Sequence, residues 1–224
     1  MELMVGDETE EDDHWRMGHP IFFPNILWVG PNLQFRVPVD DNNTLHMMLD
    51  WRELEPAIAR EAIARVRETG AQIRAQGPLL AHINDNADDW ARLWQTQVEL
   101  GIIPYYMFVE RDTGARRYFE VPLAKAWQIY RDAMKQVSGI ARTARGPSMS
   151  SHPGKVEIQG VTEVAGEKVF VLRLIQGRNP DWVQRPFFAK YSETATWLHE
   201  LEPALGEEKF FFEDEFEAMK KGNV

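Results

Sequence analysis

The chain has 224 residues, 44% hydrophobic and 27% charged, which is typical of a globular protein with a substantial core. Its formal net charge of -10 argues against a nucleic-acid partner, which requires a basic surface. There is no cysteine, so the chain's own residues cannot build a disulfide, a thiolate nucleophile or a cysteine-ligated iron–sulfur cluster. No apolar run reaches membrane-spanning length, and the acidic start is unlike a signal peptide. We therefore expect a cytoplasmic protein with no membrane partner.

The first fifty residues predict an acidic lead-in followed by antiparallel strands. Residues 1–14 are polar and acidic. Strand patterns follow over 21–29, 33–39 and 44–49, separated by turn residues.

His14 and His19 follow a group of acids, a combination that is similar to a histidine–carboxylate iron site. Their spacing turns the two side chains apart on a helix, and Pro20 and a strand pattern come next. Surface histidines beside an edge strand are the favoured interpretation, and no metal site is predicted.

The segment 51–155 alternates helical and strand patterns. Helices are predicted over 53–70, 86–101 and 123–137, and strands over 71–76 and 102–109. Asn86 is expected to cap the second helix, with Asp88 and Asp89 in its first turn. This order predicts an α/β fold of mixed α+β character, with parallel strands and crossover helices like the last units of a (βα) barrel.

A loop of small and polar residues is predicted between the third helix and Lys155. Beyond it, 156–164 and 168–175 predict a β-hairpin, 186–191 a strand and 195–198 a helical turn. The acidic end carries Phe210–Phe212, which we expect to be a docking strand or an interface. The predicted domains are 1–50, 51–155 and 156–224.

Lys155 is the main candidate for a functional residue. It follows Pro153-Gly154 at the mouth of the α/β layer, where a lysine can hold a Schiff-base cofactor. A surface lysine after a turn is the alternative. Tyr105 and Tyr106 should alternate faces of their strand, so at most one would face a site, and a core role is favoured.

Other polar groups have simpler explanations. Arg142 and Arg145 could meet a carboxylate or a phosphate, but solvated loop arginines are favoured. The cluster Asp85, Asp88 and Asp89 could bind a hard cation, although charge complementarity with a helix N-terminus explains it without one.

From about residue 53 to the end, the chain resembles the C-terminal half of lysine 2,3-aminomutases. The resemblance is carried by Thr69-Gly70-Ala71, Gln76, Ile83-Asn84-Asp85, Pro104-Tyr105-Tyr106, Phe119-Glu120-Val121-Pro122, Val137-Ser138-Gly139 and Pro153-Gly154-Lys155-Val156. It implies a radical-SAM isomerase that also uses pyridoxal phosphate (PLP), acts on a small amino acid, and holds PLP through Lys155. S-adenosylmethionine and a 4Fe-4S cluster belong to the full-length family, and this cysteine-free chain cannot bind the cluster.

The resemblance also implies two acids that recognise the distal amino group of lysine. The first falls on Arg111, with Asp112 one residue late, and the second on Ser148. A cation and a hydroxyl do not attract an ammonium group, so lysine is not expected to be the substrate.

Residues 10–49 resemble a β piece of the catalytic domain of Rieske ring-hydroxylating oxygenase large subunits. The matching residues are His19 to Leu27, Phe35 to Asp41, and Thr44-Leu45-His46.

Taken together, the two resemblances and the absence of cysteine predict an aminomutase-like fragment that is inactive alone. A fragment of a Rieske oxygenase and a non-catalytic interaction module are the alternatives, and self-association into a homo-oligomer stays open.

Overall fold

The computed structural model describes residues 21–22, 26–29, 32–38, 44–50, 56–110 and 116–221. The chain divides into two compact units, Met1–Glu68 and Thr69–Val224. The interpretations of His14, His19, Arg111 and Asp112 concern residues outside the described ranges.

The first unit contains a four-stranded antiparallel sheet in the order β1-β2-β3-β4. Its strands are β1 (Ile21–Phe22), β2 (Ile26–Val29), β3 (Asn32–Pro38) and β4 (Thr44–Asp50). The predicted first strand is a hairpin instead, because Ile21 pairs with Leu27 and Phe22 with Ile26. Helix α1 (Pro56–Glu68) belongs to the same unit, and Arg65 pairs there with Glu61 at 2.5 Å.

The second unit contains a six-stranded mixed sheet in the order β10-β9-β8-β7-β6-β5. Its strands are β5 (Arg74–Leu79), β6 (Ile103–Val109), β7 (Arg145–Ser150), β8 (Gly154–Val164), β9 (Glu167–Gly177) and β10 (Pro186–Lys190). The first three are parallel, and the pairing becomes antiparallel from β7 to β10. This mixed sheet confirms the predicted α/β fold class.

Helices connect the parallel strands. Helix α2 (Ala87–Glu99) joins β5 to β6, and the short α3 (Arg116–Phe119) and α4 (Leu123–Gln136) lie between β6 and β7. Asn86 caps α2 as predicted, because its side chain accepts a hydrogen bond of 2.9 Å from the Asp89 amide. Trp90 and Trp94 of α2 are almost completely buried, and their rings lie 5.6 Å apart in the core.

The β8–β9 hairpin confirms its sequence prediction. Its turn consists of Ala165 and Gly166, which both have positive φ values of 52° and 82°. Two central residues of this kind are typical of the type I′ turn, whose twist matches that of the two strands it joins.

Two strand predictions near glycine and proline were wrong. Strand β5 continues through Gly77 and Pro78, which were assigned to a loop. Gly77 is needed for packing, because a Cβ there would lie 2.8 Å from the Trp90 ring. Strand β7 was assigned to a loop as well, yet its Pro147, Ser148 and Met149 are buried between β6 and β8.

The phenylalanine tail does not stay exposed, as expected, but it forms a turn before a helix rather than the predicted docking strand. Phe210 and Phe212 are buried and contact Phe187 of β10, with ring centroids 5.3 and 5.5 Å away. Helix α5 (Glu213–Lys220) follows and buries Phe216 near Trp182. The tail completes the core of the second unit, so the buried Phe210 and Phe212 do not supply the contact surface that the interaction-module alternative assumed.

No helix in the described residues is both long and apolar enough to cross a membrane.

Candidate functional site

The backbone of Lys155 lies at the C-terminal edge of the parallel strands. Lys155 is the second residue of β8, and it pairs with Ser150, the last residue of β7, on one side and with Gln176 on the other. Because β7 runs parallel to β5 and β6, its last residue marks the edge where ligands of parallel sheets gather.

The turn before Lys155 is fixed by hydrogen bonds. The Ser151 amide and hydroxyl both donate to the Gly154 carbonyl, at 2.9 and 2.8 Å. Arg178 donates from Nε to the His152 carbonyl at 2.7 Å and from its amide to the Pro153 carbonyl at 3.0 Å. Lys155 therefore leaves a turn that the following strand connection holds in place.

The Lys155 amine lies over an aromatic ring. Its Nζ is 4.3 Å from the ring centroid of Tyr106, a distance at which an ammonium group is attracted to the face of the ring. Tyr106 is 6% exposed, so the ring under the Lys155 amine is buried.

Tyr105 and Tyr106 lie together, contrary to the prediction that they alternate faces. The β5–β6 register pairs Ala75 with Pro104 but Gln76 with Tyr106, so Tyr105 is the extra residue of a β-bulge. The bulge removes the alternation at this point. The two ring centroids are consequently 4.3 Å apart in an edge-to-face arrangement.

Two arginines extend the tyrosine pair. The Arg74 guanidinium lies 5.3 Å from the Tyr105 ring centroid. Arg145 lies 5.6 Å from the Tyr105 centroid and 5.9 Å from that of Tyr106. Arg142 is elsewhere and donates from Nε to the Val137 carbonyl at 2.8 Å, at the end of α4. Arg145 thus belongs to β7 rather than to a loop, and both arginines make contacts that the sequence interpretation did not include.

Burial raises the pKa of the Tyr106 phenol, and the neighbouring Tyr105 hydroxyl acts in the same direction. The Arg145 guanidinium acts in the opposite direction, but its effect on the pKa is smaller. Tyr106 is therefore neutral at physiological pH and presents a phenol and a ring face beside Lys155.

A buried carboxylate, Glu157, lies two residues beyond Lys155 on β8 and was missed by the sequence analysis. It is 4% exposed and accepts hydrogen bonds from the Gly146 amide at 3.1 Å, Gln159 Nε2 at 2.6 Å and Arg173 Nε at 2.9 Å. Residues two positions apart in a strand lie on the same face of the sheet, so the spacing of Glu157 from Lys155 was a signal in the sequence that could have identified this acid.

Ser148 is buried in β7, and its hydroxyl lies 3.4 Å from the Met107 carbonyl. No carboxylate stands at this position, where the resemblance implies a substrate-binding acid. Ser148 therefore contributes no negative charge to the site.

The three aspartates near α2 do not form a metal site. Asp85 pairs with Lys125 at 2.5 Å, and this contact lowers the pKa of its carboxyl group. Asp88 accepts from Gln136 Nε2 at 2.9 Å, and Asp89 pairs with Arg92. The part of the chain that the structure describes contains no group of three side chains able to hold a metal ion.

No protein-family model matches the chain. The curated proteins that are similar to part of it include the following two. A protein of Aquifex aeolicus (strain VF5), named "Putative L-lysine 2,3-aminomutase", is 28% identical over 151 residues, which are 67% of this chain. The L-lysine 2,3-aminomutase of Escherichia coli (strain K12) is 30% identical over 99 residues, which are 44% of this chain.

The chain spans 39% of the length of the first relative and 29% of the second. These matches confirm a distant relation to lysine 2,3-aminomutases over part of the chain. Neither relative supports the resemblance of residues 10–49 to Rieske oxygenases.

Proposed function

We propose that this chain is a PLP-binding part of an aminomutase-type protein and that Lys155 holds the cofactor. We propose further that the substrate is a small amino acid and that the protein is cytoplasmic. A radical-SAM isomerase activity is proposed for the whole aminomutase-type protein, not for this chain alone. One observation carries it. The Lys155 amine lies over the buried Tyr106 ring, next to the C-terminal edge of the parallel strands, in a chain distantly related to aminomutases.

The described residues fit the cofactor chemically. PLP requires an amine for its aldehyde and an environment that orients a flat ring. Lys155 supplies the amine, and the Tyr106 ring is 4.3 Å from it. When bound, PLP supplies a sink for electrons from the carbon atoms of an amino acid.

The protein's own contribution is to orient the lysine. The hydrogen bonds of Ser151 and Arg178 fix the turn before Lys155, and β7 and β9 hold its strand on both sides. Tyr106 limits the positions of the amine through its ring face and remains a neutral proton donor.

The chain alone cannot start radical chemistry through a cysteine-ligated cluster, because it contains no cysteine. Anaerobic reconstitution with iron and sulfide should leave the purified chain without a stoichiometric cluster. Recovery of one cluster per chain by iron and sulfide analysis would overturn the proposed inactivity.

Modification by PLP tests the lysine assignment directly. The purified chain is incubated with PLP, treated with borohydride and digested, and the labelled peptides are identified by mass spectrometry. We expect visible absorbance before reduction and one dominant label at Lys155. Lys155→Ala should remove both signals.

Lys168 provides a matched control, because its amine also lies over a tyrosine ring, 3.4 Å from the Tyr191 centroid. Lys168→Ala should leave the absorbance and the Lys155 label unchanged. Equal labelling of both lysines, or absorbance that survives Lys155→Ala, would show that ordinary lysines react and would contradict the assignment.

A further inference from the structure

We propose that Arg74 and Arg145 form a binding site for an anionic oxygen group, a carboxylate or a phosphate, at the tyrosine pair that Lys155 also contacts. The site lies on three neighbouring strands. Arg74 begins β5 and Arg145 begins β7, and these strands flank β6, which carries Tyr105 and Tyr106.

The β-bulge at Tyr105 brings both arginines to one ring. Their guanidinium carbons lie 5.3 and 5.6 Å from the Tyr105 centroid, and Arg145 also contacts Tyr106. Contact with an aromatic ring holds a guanidinium group through its flat face. The N–H groups at its edge remain suited to the paired oxygen atoms of a carboxylate or phosphate.

The charge of these two arginines is not balanced within the described part of the chain. Neither forms an ion pair there, and Arg74 has a neutral hydrogen-bond partner, Gln72 Oε1, at 3.3 Å. Three other arginines of the same unit have acidic partners, in the pairs Arg92–Asp89, Arg131–Asp132 and Arg173–Glu157, whereas Arg142 and Arg178 donate to backbone carbonyls.

Arg74 and Arg145 differ from all of these because they share one ring with no acidic partner in the described part of the chain, although the sequence has 35 acidic and 25 basic residues. Two like charges on one ring repel each other, and because both side chains are exposed, solvent weakens this repulsion. An anionic ligand bound to both guanidinium groups would replace this repulsion by attraction. The third cation, Lys155, lies over the adjacent Tyr106 ring and adds to the positive potential.

The site selects the class of ligand. An oxyanion gains hydrogen bonds and charge attraction, whereas an ammonium group is repelled. If the proposed function holds, a phosphate here would come from the cofactor and a carboxylate from the amino acid. In either case a substrate with a second ammonium group near the arginines is disfavoured, in agreement with Ser148 at the position of an expected acid.

Calorimetric titration of the full chain tests the site at constant ionic strength, with inorganic phosphate, glutamate and lysine as probes. We expect at least one of the two anions to bind and to bind more tightly than lysine. Tighter phosphate binding identifies a phosphate subsite, and tighter glutamate binding a carboxylate subsite. Arg74→Gln and Arg145→Gln should each weaken binding about tenfold, the size of one lost charged hydrogen bond.

Arg131→Gln is the control, since Arg131 is an exposed arginine paired with Asp132, and it should bind the anions like the wild type. Arg145→Lys keeps the charge but loses the paired donors, so its affinity should lie between those of Arg145→Gln and the wild type. Circular dichroism confirms that each variant is folded.

Anion binding that is unchanged in the folded double variant Arg74→Gln/Arg145→Gln would overturn the proposal, as would the absence of binding for both anions. Lys155→Ala separates it from the proposed function. That variant should retain most of the anion affinity while losing the borohydride label. A chain that binds anions through the arginines but is never labelled at Lys155 would leave this site standing and contradict only the cofactor assignment.

Discussion

Arg173 donates from Nε to Oε2 of the buried Glu157 carboxylate at 2.9 Å, and its Nη2 lies 2.8 Å from the same oxygen in an ion pair. The other oxygen of Glu157 accepts from the Gly146 amide. One carboxylate in β8 therefore joins β7 to β9 on the strand that carries Lys155. Removing one partner of a buried ion pair costs more than removing both, because the remaining charge has no counterion.

Glu157→Leu should thus destabilise the protein by about 3–5 kcal/mol in urea unfolding monitored by circular dichroism. The double variant Glu157→Leu/Arg173→Leu should be more stable than Glu157→Leu alone. Equal or lower stability of the double variant would mean that the pair contributes little beyond its separate contacts.

Gly154 should not tolerate a side chain. Its φ is +154°, and a Cβ would lie 2.1 Å from the Gln176 carbonyl oxygen, which belongs to the backbone of β9. Gly154→Ala must therefore displace one strand, and we expect a loss of more than about 2 kcal/mol together with slower modification of Lys155 by PLP.

Gly139 is the matched control for this substitution, because nothing lies within 4 Å of a Cβ built there. Gly139→Ala should change the free energy of unfolding by about 0.5 kcal/mol or less. Similar effects of the two alanines would show that the β8–β9 register is less restrictive than the structure indicates.

Glu215 fixes helix α5 to the sheet unit. Its carboxylate accepts from Trp182 Nε1 at 2.8 Å and from Asn179 Nδ2 at 2.6 Å. We expect Glu215→Ala to cost about 1–3 kcal/mol, since it leaves the largely buried Trp182 indole without its acceptor. Hydrogen exchange should accelerate over Glu213–Lys220.

Asp214 is the neighbouring acid in the same helical turn, and it forms an exposed pair with Lys209 at 2.5 Å. Asp214→Ala should cost less than about 1 kcal/mol, as exposed pairs do. If Asp214→Ala accelerated exchange as much as Glu215→Ala, general helix charge rather than the Trp182 contact would explain the effect.

Ionisation of the Tyr130 phenol should lower the stability of the folded protein at alkaline pH. Burial raises the pKa of its phenol to about 12, and the Glu157 charge acts in the same direction. The ordinary tyrosine pKa is about 10. Because the folded state favours the neutral phenol, this contribution is complete below about pH 10 and is lost as the pH rises through about 12.

Unfolding by urea at a series of pH values should show a smaller loss of stability between about pH 10 and pH 12 in Tyr130→Phe than in the wild type. Tyr118, which is 61% exposed, offers the control substitution Tyr118→Phe, and it should keep the wild-type slope. An unchanged slope in Tyr130→Phe would contradict the assignment of this pH dependence to Tyr130.

Elements with strong local signals could be predicted from the sequence. The Asn86 cap and the apolar face of α2 gave the helix, and Ala165-Gly166 gave the hairpin. Strands β5 and β7 could not be predicted from the sequence, because the dipeptides Gly77-Pro78 and Gly146-Pro147 favour turns when only their local sequence is considered. Here the neighbouring strands and the Trp90 ring determine their conformation, which is tertiary context overriding local preference.

The candidate site was predictable in part. Lys155 was identified from its Pro-Gly turn and the family resemblance, and its role as the cofactor lysine stays a prediction. The joint position of Tyr105 and Tyr106 depends on one unpaired residue in the β5–β6 register, which alternation rules cannot anticipate. Arg74 lies 71 positions before Arg145 in the sequence, so their approach to one ring follows from the parallel pairing of their strands with β6.

The change from parallel to antiparallel pairing at β7 divides the sheet into halves with different demands on folding. Strands β8 and β9 are joined by two residues, so their contacts are local and close quickly. Strands β5, β6 and β7 can meet only after the segments that contain α2 and α4 have crossed over, and closing these longer loops costs more chain entropy. We therefore expect the hairpin that carries Lys155 to form first and to serve as the template on which β7 and then β6 assemble.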